Sequence, residues 1–399
     1  MRVKVFRGKN QIGGNLIQIV SSKAKIILDT GMDLAEDSGS DLIKELKDAF
    51  DYRQSDAVFI THYHTDHMGL AYNAHGDIPI YIGETSYKIV SAANGYRNKK
   101  TFPAAAFLKH KSAVTVGDIK VTPYLWGNAV FENFILHIEC MGESILYVGD
   151  FGGKRIIERN NWEFLRQNTD LLICRGAALS KEDKSARDEK ALEKKAVKLF
   201  KKIEGPVFVL LSSMNIDRIV SIYNAAQKSG RLFLQELYMA EITSAVGGDI
   251  PNPKNFEGVK VFVTRIYEDY RLELFNSYGK ENSISKSGIA KTKFVMGIRA
   301  SMYNYIKSLC ETMNYPKGLL VYSFKSGYVP SQGVRSFLES CQNLGLKTVA
   351  LHTASNADIK CVKKFLLAAK PKNIMPVNVE DKAWFGKVKS DWGLRYNII

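Results

Sequence analysis

The chain has 399 residues, and because hydrophobic cores usually stop growing at about 250–300 residues, we expect two domains or one domain with a large insertion. Its apolar fraction of 45% and charged fraction of 24% are typical of a globular protein and exclude a disordered one. A net charge of +15 favours polyanionic partners, and nucleic acid is the partner that we expect.

Membrane association and disulfide bonding are both disfavoured. No apolar run reaches the ~20 residues that a membrane helix needs, and the first residues alternate as a strand does. Five scattered cysteines without a C-x-x-C pair predict neither a disulfide framework nor a thiolate zinc site. Reduced cysteines fit a cytoplasmic protein, which is the location that we expect. The oligomeric state stays open, and an oligomer is compatible with the sequence.

The first 150 residues predict strands with short connections, because β-branched and aromatic residues cluster there between Gly, Asp and Pro. The predicted strands cover residues 23–28, 56–60, 78–82, 119–122, 134–138 and 144–148. Pro79 lies within the third of these runs and predicts an edge strand, since proline cannot donate a hydrogen bond to a sheet.

The second half predicts a different architecture. Residues 181–203 are rich in Lys and Glu and predict a solvated helix. Strands then alternate with helices, with strands predicted at 207–211, 231–235, 294–296, 318–322 and 347–351 and helices at 217–228, 300–312 and 333–344. This alternation is typical of βαβ units, so we predict an α/β protein with a domain boundary near 175–205.

A dense group of potential metal ligands follows the predicted strand at residues 56–60. The next loop carries His62, His64, Asp66 and His67, and such ligands suit zinc, or manganese where oxygen ligands dominate. Side chains two apart in an extended segment face the same way, so His62 and His64 can share one ion. Asp66 and His67, past a turn, can serve a second. The alternative is a histidine-rich surface loop without a metal.

This His-x-His-x-Asp-His run resembles the signature of the metallo-β-lactamase superfamily. Three more segments are similar to its motifs: Ile26–Gly31 to the strand and acidic turn before the signature, Val121–Pro123 to the start of the third motif, and Leu146–Phe151 to the fourth. The resemblance implies that Asp150 is a metal ligand shared by two ions. It also implies that Asp29 braces the histidine loop from behind the ligands, a support that metal sites generally need.

Segments of the second half resemble the β-CASP group of that superfamily, which includes ribonuclease J and the pre-mRNA cleavage endonucleases. These segments are Ser212–Arg218, Gly230–Arg231, Leu320–Ser323, Ser326–Tyr328, His352–Ala357, Lys370–Lys372 and Pro376–Glu380. The resemblance implies a metallo-β-lactamase αββα sandwich with an inserted β-CASP-like α/β domain. The first part of the core would cover residues 1–180, the insertion 181–315 and the return to the core 316–399.

Four positions depart from the family pattern. Asn128 aligns with the histidine of the third motif, Arg175 with the acidic residue after the fourth, Asn356 with a histidine in a Ser-Gly-His-Ala segment and Asn378 with a late histidine ligand. Asn128 and Asn378 are therefore degenerate ligand positions. Because an asparagine amide is a weaker zinc ligand than an imidazole, we expect one or two zinc ions at reduced occupancy, with manganese as the alternative.

The chemistry implied by the resemblance is metal-assisted phosphodiester hydrolysis, in which a bound ion provides hydroxide at neutral pH. Asp66 and Asp150 are the candidate catalytic residues, since either carboxylate can orient the water. The candidate substrate-binding residues, which would hold a phosphate oxygen, are Arg175, His352, Ser355 and Asn356.

Two functions compete. The five retained ligands favour a divergent metal-dependent phosphodiesterase or nuclease acting on RNA, DNA or nucleotides. The four substitutions favour a catalytically impaired β-CASP relative that binds nucleic acid or protein as a scaffold. Hydrolysis of a small thioester or lactone is disfavoured by the basic charge and the β-CASP-like second half.

Overall fold

The computed structural model describes residues 1–9, 14–32, 50–74, 77–126, 131–150, 165, 169–175, 188–265, 268–313, 317–324, 332–353, 359–378, 383–391 and 393–399. The chain divides into two compact units. The first contains Met1–Val90, Lys100–Lys181 and Asn356–Ile399, and the second contains Ser91–Lys99 and Glu182–Ser355. Within the described ranges, none of the helices combines the length and the apolar character that crossing a membrane requires.

The strands within the described residues form three sheets. In chain order they are β1 (Arg2–Arg7), β2 (Leu16–Val20), β3 (Lys25–Thr30), β4 (Ala57–Phe59), β5 (Ile80–Gly83), β6 (Ala106–Leu108), β7 (Val114–Val116), β8 (Ile119–Leu125), β9 (Phe134–Cys140), β10 (Glu143–Val148), β11 (Leu171–Arg175), β12 (Val207–Leu210), β13 (Leu232–Glu236), β14 (Val259–Phe262), β15 (Phe294–Ile298), β16 (Gly318–Tyr322), β17 (Leu346–Ala350), β18 (Asn373–Val377) and β19 (Asn397–Ile398).

The helices range from single turns to about three turns. In chain order they are α1 (Thr65–Met68), α2 (Glu84–Tyr96), α3 (Glu189–Phe200), α4 (Ile216–Gln227), α5 (Leu237–Val246), α6 (Asp269–Asn276), α7 (Gly279–Asn282), α8 (Lys286–Ile289), α9 (Tyr303–Met313), α10 (Gln332–Asn343), α11 (Ile359–Ala369) and α12 (Ala383–Asp391). Short 3-10 turns cover Tyr52–Gln54, Gly69–Asn73 and Ala300–Met302.

The first unit is a sandwich of two sheets. One sheet has the order β1 to β6, and the other has the order β19-β18-β11-β10-β9-β8-β7. Along β10, Ile145 and Tyr147 point into the core between the sheets, whereas Leu146 and Val148 pack in a second core with Phe365 of α11. This alternation follows from the two-residue period of a strand that is buried on both faces. The predicted metallo-β-lactamase-type α/β fold is confirmed.

The second unit contains one parallel sheet of order β14-β13-β15-β12-β16-β17. Its core combines strand residues such as Phe208 and Met296 with Ile306 of α9 and Phe337 of α10. Parallel strands joined through helices are the arrangement that the strand–helix alternation of the sequence predicts.

Pro79 does not mark an edge strand, so that prediction is wrong. β5 begins one residue later, at Ile80, and lies between β4 and β6 in the first sheet. The carbonyl of Pro79 accepts a hydrogen bond from Val58 N at 2.9 Å. Because proline stands just before the strand, its missing N–H interrupts no sheet hydrogen bond.

The chain returns to the first unit later than the boundary at residue 316 that the sequence suggests. β16 pairs with β12 and β17 pairs with β16, so both strands belong to the sheet of the second unit. The return falls at Asn356. A short apolar run such as Gly318–Tyr322 fits a buried parallel strand in either unit, and its local pattern does not say which sheet it joins.

A buried histidine in β9 provides a test of this core. His137 lies with Nδ1 3.8 Å from Glu139 Oε2, and burial lowers its pKa despite the partly opposing charge of Glu139. The pKa of His137 is lower in the folded protein than in the unfolded chain. The free energy of unfolding therefore has its full value, as far as His137 is concerned, above about pH 6.5 and decreases as the pH falls below that value. We expect His137→Gln to reduce the decrease in the free energy of unfolding at low pH.

The measurement is denaturant unfolding at about pH 7.5 and at about pH 5.5, on the two sides of the unfolded histidine pKa. His110→Gln is the control, since His110 is exposed, and it should keep the wild-type response to pH. An unchanged pH dependence in His137→Gln would contradict the prediction.

Candidate metal centre

The candidate ligands lie where strands of the first unit end. Asp29 lies in β3, the histidine loop follows β4, Asp150 follows β10 and Arg175 ends β11. β3 and β4 are parallel, as are β10 and β11, so within each pair the carboxyl ends share one edge of a sheet. This edge is where α/β sheets generally place ligand-binding residues.

The histidine loop is held tightly against β3. Met32 N, just after β3, donates to Thr65 O at 3.0 Å, and Asn15 N, just before β2, donates to Asp66 O at 3.1 Å. A Cβ atom on Gly31 would lie 1.8 Å from the carbonyl oxygen of Asp66, so only glycine fits this close approach. Within the loop, α1 places Asp66 and His67 on one turn, and both are buried.

Asp29 is the centre of a buried hydrogen-bond network behind the ligands. Its carboxylate accepts from Thr61 N at 2.8 Å, from Tyr147 Oη at 2.6 Å and interacts with His67 Nδ1 at 2.7 Å. Asp29 is fully buried and has a left-handed φ of 53°, a conformation that aspartate tolerates better than most residues. Bound from behind at Nδ1, His67 directs Nε2 away from Asp29.

Two residues of this network were not predicted from the sequence. Thr61 Oγ1 lies 3.0 Å from Asp29 Oδ1 and 3.0 Å from His62 Nδ1, so it orients the first histidine of the run. Burial, followed by the charge of Asp29, raises the pKa of Tyr147 well above its usual value, so its hydroxyl stays a donor. For Thr61, the one signal available in the sequence was that it stands next to the histidine run.

One group of ligand atoms belongs to His62, His64 and Asp150. Their ligand atoms all lie within 4.8 Å of one another. The rings of His62 and His64 are 4.8 Å apart at their centroids, and His62 is fully buried while His64 is half-buried. The sequence-based expectation that these two histidines face the same way agrees with this grouping.

A second group consists of Asp66, His67 and Asp150. His67 Nε2 lies 3.7 Å from Asp66 Oδ2 and 3.8 Å from Asp150 Oδ1. This nitrogen is buried and has no hydrogen-bond partner among the residues that the structure describes. Burial alone would lower the pKa of His67, but the carboxylates of Asp29, Asp66 and Asp150 raise it to about 9.

These side chains fit a divalent ion. Ligand atoms at zinc distances of about 2.0–2.2 Å in a tetrahedron lie roughly 3.3–3.6 Å apart. This is close to the 3.8 Å between His62 Nε2 and Asp150 Oδ2, and to the 3.7 and 3.8 Å between His67 Nε2 and the nearest oxygens of Asp66 and Asp150. The donor set of imidazole nitrogens and carboxylate oxygens is one that zinc accepts.

Arg175 contacts a candidate ligand directly. Its Nη1 donates to Asp150 Oδ1 at 2.7 Å, and the side chains of Arg175 and Asp150 are 19% and 7% exposed. Burial would lower the pKa of Arg175, but Asp150 and then Asp66 raise it above its usual value. The guanidinium therefore carries a permanent positive charge beside two of the carboxylates.

The remaining predicted site residues are placed differently. Asn378 follows β18, is buried, and donates its backbone N–H to Gly8 O at 2.6 Å. His352 follows β17 in the second unit and is half-buried. Asn128, Ser355 and Asn356 lie outside the described residues.

Comparisons with known proteins agree with this architecture. The profile of the metallo-beta-lactamase superfamily matches residues 12–125. A crystal structure of a protein of unknown function from Enterococcus faecalis matches all of this chain and 97% of its own, with a TM-score of 0.77. At 18% identity this match shows the fold alone.

Three curated relatives carry ribonuclease names. A probable RNase MJ4 of Methanocaldococcus jannaschii is 23% identical over 292 residues, or 63% of this chain and 66% of its own length. Ribonuclease J of Sinorhizobium meliloti is 22% identical over 45% of this chain and 33% of its own length. Endoribonuclease ysh-1 of Neurospora crassa is 27% identical over 36% of this chain and 19% of its own length. The chain thus spans less than two thirds of each. With the ligand run and the two-sheet sandwich, these matches show a metallo-beta-lactamase domain in residues 12–125 and a chain that is similar to proteins named as ribonucleases.

Proposed function

We propose that this protein is a metal-dependent phosphodiesterase of the nuclease type, with zinc as its resident ion and RNA as its substrate. The observation that carries the proposal is the convergence of the ligand atoms of His62, His64 and Asp150, which lie within 4.8 Å of one another, next to the buried Nε2 of His67. A merely structural loop has no need for such a costly cluster of buried polar atoms.

The residues of the site would have separate roles in phosphodiester hydrolysis. A bound divalent ion lowers the pKa of its water to about 7 and stabilises charge on the phosphoryl oxygens. Asp66, with a side chain that is 10% exposed, orients the attacking water toward the phosphorus. Asp29 keeps His67 in one orientation through the 2.7 Å contact at Nδ1.

The substrate class is supported by charge and by the relatives. A net charge of +15 attracts a polyanion, and proteins named as ribonucleases match between 36% and 63% of this chain. DNA and nucleotides remain substrates to be compared with RNA in the same assay.

A specific observation favours a second candidate, a nucleic-acid-binding scaffold with impaired catalysis. Arg175 already neutralises part of the charge on Asp150 through its 2.7 Å hydrogen bond. A carboxylate paired in this way is a poorer ligand and a poorer water acceptor than a carboxylate facing only an ion.

We expect zinc-loaded protein to cleave labelled single-stranded RNA, and Asp66→Asn to lower the rate about 10²–10⁴-fold, the usual contribution of a residue that handles the attacking water. Asp77→Asn is the matched control, since Asp77 is an exposed aspartate of the same unit. Its rate should equal that of the wild type.

The outcome separates the two candidates. Salt-dependent RNA binding by zinc-loaded protein, without cleavage of RNA, DNA or an activated phosphodiester, would reject the enzyme and favour the scaffold. Equal rates for Asp66→Asn and the wild type would reject the role given to Asp66.

A further inference from the structure

The two oxygens of the Asp150 carboxylate face different partners. Oδ2 lies 3.8 Å from His62 Nε2. Oδ1 lies 3.8 Å from His67 Nε2 and accepts the hydrogen bond from Arg175 Nη1 at 2.7 Å. Arg175 therefore contacts the carboxylate oxygen on the side of Asp66 and His67, and not the oxygen that faces His62.

An ion on the Asp66 side would meet the guanidinium. Such an ion would bind Oδ1 at about 2.0–2.2 Å, so it could lie no more than about 5 Å from Arg175 Nη1. The two cations would share one carboxylate oxygen in a site where Asp150 is only 7% exposed. Arginine cannot relieve this repulsion by losing its proton, as histidine or lysine would.

The charges of the site point in the same direction. Asp29, Asp66 and Asp150 are three buried carboxylates with a combined charge of −3. With the imidazoles of the site counted as neutral, Arg175 and a single divalent ion neutralise these three charges. A second divalent ion would leave two positive charges without a counter-charge among these residues, which is unfavourable in a buried site.

We propose that Arg175 takes the place of one of two divalent ions, so that the centre is mononuclear, with its ion held by His62, His64 and Oδ2 of Asp150. This inference rests on the proposed function, because it concerns the same metal centre. Arg175 is then the residue that determines metal stoichiometry, and Asp66 acts beside the ion without holding it.

The test measures bound zinc, independently of activity. Protein freed of metal with a chelator is loaded with excess zinc and desalted, and zinc per chain is determined by elemental analysis. We expect about one ion for the wild type and about two for Arg175→Gln, which removes the charge and roughly keeps the shape. Arg53→Gln is the matched control and should keep one ion, since Arg53 also pairs with an aspartate in the first unit but is 71% exposed.

The position of the ion is tested with two ligand variants. His62→Ala should lose most of the bound zinc, whereas Asp66→Asn should keep about one ion per chain. Loss of the ion from folded Asp66→Asn would overturn the proposed position. Since this readout is zinc content, it stays informative even if the protein cleaves no RNA and the proposed function fails.

Three results would overturn the stoichiometry. They are two zinc ions per wild-type chain, no zinc in either protein, and a folded Arg175→Gln that still holds one ion. If Arg175→Gln does not fold, electron paramagnetic resonance of the wild type loaded with excess Mn²⁺ decides the question. An isolated Mn²⁺ signal supports the proposal, and a spin-coupled pair overturns it.

Discussion

Asp29→Ala is expected to lower the free energy of unfolding of the first unit by about 3–5 kcal/mol, the usual effect of removing one partner from a buried charged network. The substitution leaves Thr61 N, Tyr147 Oη and His67 Nδ1 without the carboxylate that they contact at 2.6–2.8 Å. All three groups are buried, so water cannot replace that carboxylate at no cost.

Tryptophan fluorescence during urea unfolding measures this effect selectively. All four tryptophans of the chain fall in the residue ranges of the first unit. Tyr147→Phe is the matched control, because it removes one donor from the network and should cost about 1.5–3 kcal/mol, the value for one hydrogen bond to a charged group. An Asp29→Ala protein that is no less stable than Tyr147→Phe would refute the central role of Asp29.

The residues of the candidate metal centre and Asp29 behind it could be selected from the sequence because each lies in a local pattern. His62 and His64 are two apart in an extended segment, and Asp29 and Asp150 stand where predicted strands end. In parallel strands, positions at the carboxyl ends converge, so the sheet brings together residues that lie far apart in the chain. The contact of Asp29 with His67 is the arrangement that the family resemblance implied.

The contacts of Arg175 and Tyr147 could not be predicted in this way. Tyr147 lies 118 positions from Asp29 in the sequence, and an inward-facing tyrosine in an alternating strand is indistinguishable from an ordinary core residue. The sequence interpretation gave Arg175 the role of holding a phosphate oxygen. The hydrogen bond to Oδ1 of Asp150 depends on the packing of β10 beside β11, which no local pattern encodes.

The boundary of the second unit also could not be predicted from local sequence patterns. The strand at 318–322 was predicted at the residues where it is found, yet the predicted domain assignment differs from the sheet that it joins. A strand's own sequence indicates that both of its faces are buried. The helices and strands that pack around it determine which strands it pairs with. Arg218 makes side-chain contacts directly after this strand.

Arg218 links the strand β16 region to the helices of the second unit. Its Nη1 donates to Ser323 O at 2.8 Å and to Ser323 Oγ at 2.6 Å, directly after β16. Its Nη2 donates to Glu189 Oε1 at 2.9 Å and to Thr353 Oγ1 at 2.9 Å. The side chain is 4% exposed, and each of its contacts joins elements far apart in the chain.

Arg218→Met is expected to lower the free energy of unfolding of the second unit by about 3 kcal/mol, at the lower end for a broken buried ion pair because Glu189 is 30% exposed. Lys228→Met is the matched control: Lys228 pairs with Glu193 between the same two segments, but it is 60% exposed, so the cost should be about 0–1 kcal/mol. Circular dichroism reports the unfolding of both units, whereas tryptophan fluorescence reports only that of the first unit. Arg218→Met should therefore shift the transition measured by circular dichroism and leave the fluorescence transition unchanged. Equal losses in the two variants would mean that burial adds nothing to the Arg218 network, and that the helical packing alone holds β16 in its sheet.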